Sequence, residues 1–72
     1  MDVKEAMRKK LVELREERGW TQKEVASKLN ISQRAYSHYE NGSRNVSFEM
    51  LVDIASLYGV GVSFFADETS DD

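Results

Sequence analysis

If the segment from Ser32 to Asn41 is helical, Gln33, Arg34, Ser37, His38 and Asn41 share one side of it, because a helix turns about 100° per residue. That side carries amides, a guanidinium, a hydroxyl and an imidazole, and no carboxylate. Such groups pair with base edges and phosphates: Gln suits adenine, Arg suits guanine, and Ser or Asn suits either class of acceptor. Thr21 and Gln22 stand at the start of a preceding helix, the positive end, where a phosphate is favoured. The competing reading is a plain solvated helix face. A chain with thirteen acids that leaves one face free of them makes that reading the weaker one.

Ala35, Tyr36 and Tyr39 fall on the opposite side of the same helix and are expected in the core, as is Trp20. Three helix starts share one design. Thr21 caps one helix with Glu24 completing a capping box, Ser32 caps the next, and Ser47 caps a third. Trp20, Ile31 and Val46 precede the caps as hydrophobic staples. Only Asn30 and Ile31 separate Leu29 from Ser32, so the two middle helices must turn sharply, and Asn tolerates the left-handed conformation such a turn needs. Ala26 is small where the pair would cross. The unit reads as a helix-turn-helix. An amphipathic first helix over about Val3 to Arg18 ends at Gly19, and Gly59 stops the fourth, whose Leu51, Ile54, Ala55 and Tyr58 face inward. The apolar segment after Gly59 has no partner strand anywhere in the chain, so a short fifth helix is expected there, with a soft end because Gly61 caps poorly.

The chain has 72 residues and no cysteine, which bounds it to one small domain held by packing alone. The expected domain spans residues 1–66, followed by an acidic, disordered tail over 67–72. No apolar run approaches the ~18 residues of a membrane span, and the N-terminus lacks the apolar centre of a signal peptide. A cytoplasmic protein without membrane contact is the expectation. The net charge of −3 hides an asymmetry: residues 1–44 hold all ten Lys and Arg against seven acids, and residues 45–72 hold six acids and no base. Binding to a polyanion depends on the field of one face, so the total does not exclude it.

The run from Leu11 to Ala66 resembles the Cro and phage-repressor type (XRE-like) of helix-turn-helix domain. The likeness rests on the Arg-then-Gly end of the first helix, Thr21-Gln22, Ala26, Ser32, Glu40-Asn41-Gly42 and the Leu57-Tyr58-Gly59-Val60 step. It implies an all-α, lambda-repressor-like bundle of five helices that binds double-stranded DNA. The third helix would lie in the major groove with Gln33, Arg34, Ser37 and His38 nearest the bases. Thr21, Gln22, Asn41, Ser43 and Arg44 would meet the sugar-phosphate backbone. Arg15 and Glu40 match a pair that in the family forms a partly buried salt bridge, which would make Arg15 structural first. Val60, Val62, Phe64 and Phe65 would form a two-fold homodimer interface, so that two recognition helices ~34 Å apart read a pseudo-palindrome. The chain departs from the pattern at Val46, where proline is common, at Gly61, at its acidic tail, and at Tyr36, where Ile or Val is usual. The larger ring is expected to push the recognition helix outward or to reach a phosphate itself.

Other chemistries find little to work with. His38 is the only histidine, and one imidazole without cysteine builds no usual zinc site or hydrolytic triad. No enzyme activity, cofactor or small-molecule ligand is expected. The leading expectation is a small transcriptional repressor. The rival is a protein-interaction module, an antitoxin or anti-repressor partner, kept alive by the acidic tail and the apolar C-terminus. A chain that begins with Met1 and ends in charge reads as a complete small protein, against the alternative of one part of a longer regulator.

Overall fold

The computed structural model describes the backbone of residues 3–69 and the side chains of residues 5–65. Four α-helices follow one another: α1 (Val3–Glu17), α2 (Gln22–Leu29), α3 (Gln33–Asn41) and α4 (Phe48–Tyr58). The fifth element, Val62–Thr69, is a 3₁₀ helix. The bundle is therefore all-helical, with four α-helices and not the five expected. Gly61 starts the 3₁₀ helix by accepting from Phe64 N at 3.0 Å, in the i to i+3 pattern that tightens a helix to about three residues per turn. Its backbone runs into the segment expected to be a disordered tail; residues 70–72 lie outside the described residues.

The helix boundaries follow from local chemistry. Thr21 accepts from Glu24 N at 3.1 Å, and the Glu24 carboxylate accepts from Thr21 N at 2.8 Å, closing the capping box. Ser32 accepts from Ala35 N at 3.0 Å and Ser47 from Met50 N at 3.1 Å. Each such cap contributes about 1 kcal/mol. At the α2–α3 turn Asn30 is left-handed with φ 66°, which lets Ile31 N reach back to Ala26 O at 3.0 Å. This lets α3 start after a minimal connection and pack against α2.

The core lies where α1, α2, α3 and α4 converge. Leu11, Val25, Ile54 and Tyr36 are fully buried, and Ala26 is 1% exposed at the crossing. Trp20, Ile31 and Val46 are half-buried and pack against this core. Trp20 lies against Tyr58 with ring centroids 5.7 Å apart. The 3₁₀ helix closes the bundle chiefly against α1, where Phe65 is buried. Lys10 is 8% exposed, and its ammonium donates to the Phe64 carbonyl and sits 4.3 Å from the Phe64 ring centroid. Among the described residues no helix is long and apolar enough to cross a membrane.

Candidate nucleic-acid interface

The α3 helix carries one acid, Glu40, and the fold turns it inward. Arg15 Nε on α1 donates to Glu40 Oε2 at 2.7 Å, and its Nη2 reaches Oε1 at 3.2 Å. Gln22 Nε2, at the start of α2, donates to the same Oε1 at 2.9 Å. The Tyr36 hydroxyl donates to Oε2 at 2.6 Å. Arg15 also donates to the Trp20 carbonyl at 3.0 Å. One carboxylate thus ties together α1, α2 and α3, with the Arg15 and Glu40 side chains only 15% and 6% exposed.

The electrostatics follow from this geometry. Burial works to raise the Glu40 pKa, but hydrogen bonds from Arg15, Tyr36 and Gln22 and the charge of Arg15 outweigh it, so the carboxyl titrates below its usual range. The hydrogen bond to Glu40 raises Arg15 further above its already high value. Burial first, then the bond to Glu40, pushes the Tyr36 hydroxyl far up, which keeps it a donor. A carboxylate with this many donors is a fixed anchor rather than a proton carrier.

With Glu40 withdrawn, the outer face of α3 presents Gln33, Arg34 and Asn41 exposed and Ser37 and His38 half-buried. Of the four residues expected to face bases, the two at the first turn of α3, Gln33 and Arg34, are the most exposed. His38 Nδ1 is buried without a partner among the described residues, which leaves only the other edge of the ring for a ligand. Thr21 is exposed, but its oxygen is already an acceptor in the cap, leaving its hydroxyl proton to donate. Gln22, expected on a phosphate, has one amide N–H committed to Glu40, and the rest of its half-exposed amide remains for other contacts.

At the far end of α3, Gly42 is left-handed with φ 87° and donates to His38 O at 3.1 Å. Arg44 N reaches the same carbonyl at 3.2 Å, and Asn41 Oδ1 accepts from Ser43 N at 2.8 Å. The loop that holds the exposed Ser43 and Arg44 is thereby fixed against the helix, although Asn41 uses its carbonyl oxygen inside the loop. Through its 2.9 Å bond to Glu40, Gln22 lies beside the last turn of α3, and Asn41, Ser43 and Arg44 follow Glu40 directly in the chain.

Two expectations are corrected. Tyr36 is fully buried and bound to Glu40, so it reaches no phosphate; its ring fills the core and its hydroxyl joins the anchor. Phe65 is 2% exposed within the single chain and has no surface to give to a dimer. Val60, Val62 and Phe64 are half-buried on the core margin. The sequence reading missed Phe48, which is 70% exposed, and Val52, 39% exposed one turn later on α4. The signal was present in the helical phase, since both lie well to one side of the Leu51, Ile54 and Tyr58 face.

Comparisons with known proteins agree with this geometry. The profile of the Helix-turn-helix family matches residues 11–65. The HTH-type transcriptional regulator ImmR of Bacillus subtilis (strain 168) is 39% identical over 64 residues, spanning 86% of this chain and 50% of its own. The HTH-type transcriptional regulator DdrOP3 of Deinococcus deserti is 40% identical over 68 residues, spanning 85% of this chain and 53% of its own. This chain thus spans about half the length of these curated relatives. In the crystal structure of the clp gene regulator ClgR from C. glutamicum the same fold recurs with a TM-score of 0.81 at 27% identity, covering 97% of this chain and 91% of that one. A matched profile over most of the chain, two curated relatives near 40% identity and the α2–α3 geometry agree: the chain belongs to the helix-turn-helix family.

Proposed function

We propose that this chain is a sequence-specific double-stranded DNA-binding unit of a cytoplasmic transcriptional repressor, acting as a homodimer on a pseudo-palindromic operator. One observation carries the reading: the only carboxylate of α3 is locked inside by Arg15, Gln22 and Tyr36, and the exposed start of the helix is left to Gln33 and Arg34. A helix stripped of negative charge on its outer face and braced from behind suits a major groove. The names of the relatives, transcriptional regulators in each case, support it. Arg34 would act as a bidentate donor to guanine and Gln33 as a donor–acceptor pair for adenine, with Ser37 and His38 further along. Thr21, Gln22, Asn41, Ser43 and Arg44 would hold the phosphates. The dimer surface, reduced by the burial of Phe65, would use Val60, Val62 and Phe64.

Net charge −3 then weakens non-specific attraction without forbidding specific contacts, and binding should fall steeply with salt. The test is selection of bound sites from a random duplex library at two salt concentrations. Enrichment of an inverted repeat with half-sites about one turn apart is expected, and replacing Gln33 and Arg34 together by Ala should abolish it with the fold intact. The exposed Phe48 and Val52 on the acid-only half favour a second reading, a module that binds a protein partner. Selection that enriches no duplex would favour that reading over the first.

A further inference from the structure

We infer that Arg8, on α1, is a DNA-backbone-binding residue that shares a phosphate with Arg44. The inference rests on the DNA-binding reading above and extends it to a helix that contributes none of the contacts assigned so far. A Cβ built on Gly42 would lie 2.9 Å from Arg8 Nη1, 3.1 Å from its Cζ and 3.2 Å from its Cδ. The Arg8 side chain therefore crosses from α1 to the loop after α3 and lies flat against Gly42. Asn41 and Ser43 are the immediate neighbours of that glycine. Arg8 and Arg44 line the same narrow crevice, of about 20 Å³, together with Met7, Tyr39 and Val46. That crevice is too small for a phosphate, so the shared site is its mouth.

Both arginines line this crevice, so two positive charges belong to one small region, and an anion bound between them would relieve their repulsion. Glu5, Glu13 and Glu40 share an open hollow of about 390 Å³ with Arg8 on its other side. The ion pair found among the described residues is nevertheless Arg15 with Glu40, so these acids leave the Arg8 guanidinium unclaimed. The C-terminal end of α3 is the negative end of its dipole and by itself disfavours an anion. A phosphate held beside the Gly42 loop therefore needs more than the single charge of Arg44. Arg8 supplies the second, in the forked geometry that matches phosphate oxygens, and its stem is already ordered by contact with the loop.

The competing role for Arg8 is structural, a cation that steadies the last carbonyls of α3. Fluorescence anisotropy with the duplex recovered by selection and with an unrelated duplex of equal length separates the two. Arg8→Met keeps the stem and removes the charge. It should weaken both duplexes by a similar factor of about ten and lower the salt slope by about 0.9, with thermal melting nearly unchanged. Arg8→Lys should keep the salt slope while losing part of the affinity. In an Arg8→Met/Arg44→Met double variant the second loss should be smaller than in the single variant, because the two share one phosphate. Unchanged affinity and slope in Arg8→Met, while Arg34→Ala still abolishes binding, would overturn the Arg8 inference alone. So would a loss that tracks a lowered melting temperature with the slope intact. Wild-type protein that binds no duplex would instead remove the reading on which it rests.

Discussion

The two ends of this fold are held by different kinds of force. At the α1–α2–α3 junction a single carboxylate accepts from Arg15, Gln22 and Tyr36 at 2.6–3.2 Å, and these bonds are directional. At the α1–α4 margin the 3₁₀ helix is closed by the Phe65 ring in the core, the edge-on Phe64 at 5.4 Å from it, and the Lys10 strap to the Phe64 carbonyl. Burial of a ring is strong but has little preferred angle. The first junction fixes how α3 is tilted and which side it shows; the second mainly keeps the bundle shut. If α3 reads DNA as proposed, it needs orientation within about half an ångström, and the directional bonds gathered behind it would supply that.

The largest test of this contrast is Phe65→Ala. Loss of a buried Phe costs about 3–5 kcal/mol, against a total of roughly 5–10 kcal/mol for a domain of this size. Chemical denaturation should show this drop, while Phe64→Ala should lose about 1 kcal/mol, given that its ring is only half-buried. Equal losses at the two sites would mean that the margin is a single packed unit. If Phe64 also serves the proposed dimer, its replacement should shift sedimentation toward monomer with stability nearly kept.

Next comes Glu40→Ala, which leaves the Arg15 guanidinium and the Tyr36 hydroxyl without their partner. The expected loss is about 3 kcal/mol, less than for Phe65, and operator binding should fall by more than the unfolded fraction accounts for. A loss of binding that only follows unfolding would erase the proposed difference between an orienting junction and a closing one. The pH dependence points the same way. The folded pKa of Glu40 is depressed relative to the unfolded chain, so its contribution is fully present above the ordinary Glu range near 4.3 and is lost as pH falls through the lower folded value. A Glu40→Gln variant should unfold in acid with a shallower slope than the wild type.

Much of this was legible in the residues. Thr21, Ser32 and Ser47 announce their helices because a cap is a local event of three residues, and Gly19, Gly42 and Gly59 take left-handed conformations after the helices they end. The polar stripe of α3 followed from helical phase alone. What could not be read is non-local or depends on pitch. Phe64 and Phe65 looked equivalent because the segment was read without its 3₁₀ pitch, and three residues per turn decides which ring goes in. The buried Arg15–Glu40 pair was expected from the resemblance, but the Tyr36 hydroxyl one turn before Glu40 was not foreseen as a further donor to it. Gln22 looked free for a phosphate because nothing in its neighbourhood of sequence shows that Glu40 comes within 2.9 Å.

The smallest effect is the most discriminating, and it belongs to Tyr36→Phe. The ring stays, so the core is not opened, and only the 2.6 Å bond to Glu40 Oε2 is lost. Removing one bond to a carboxylate that keeps its others costs about 1–2 kcal/mol. Tyr36 is also one of the donors that hold the Glu40 pKa down, so the acid unfolding midpoint should move to higher pH, the direction opposite to a gain in acid stability. If the hydroxyl helps to orient α3, specific DNA affinity should fall while affinity for unrelated duplex stays constant, because the phosphate contacts proposed for Ser43 and Arg44 would not depend on the tilt of the first turn. A uniform loss across both duplexes would place Tyr36 with the packing residues and leave Arg15 and Gln22 as the orienting pair.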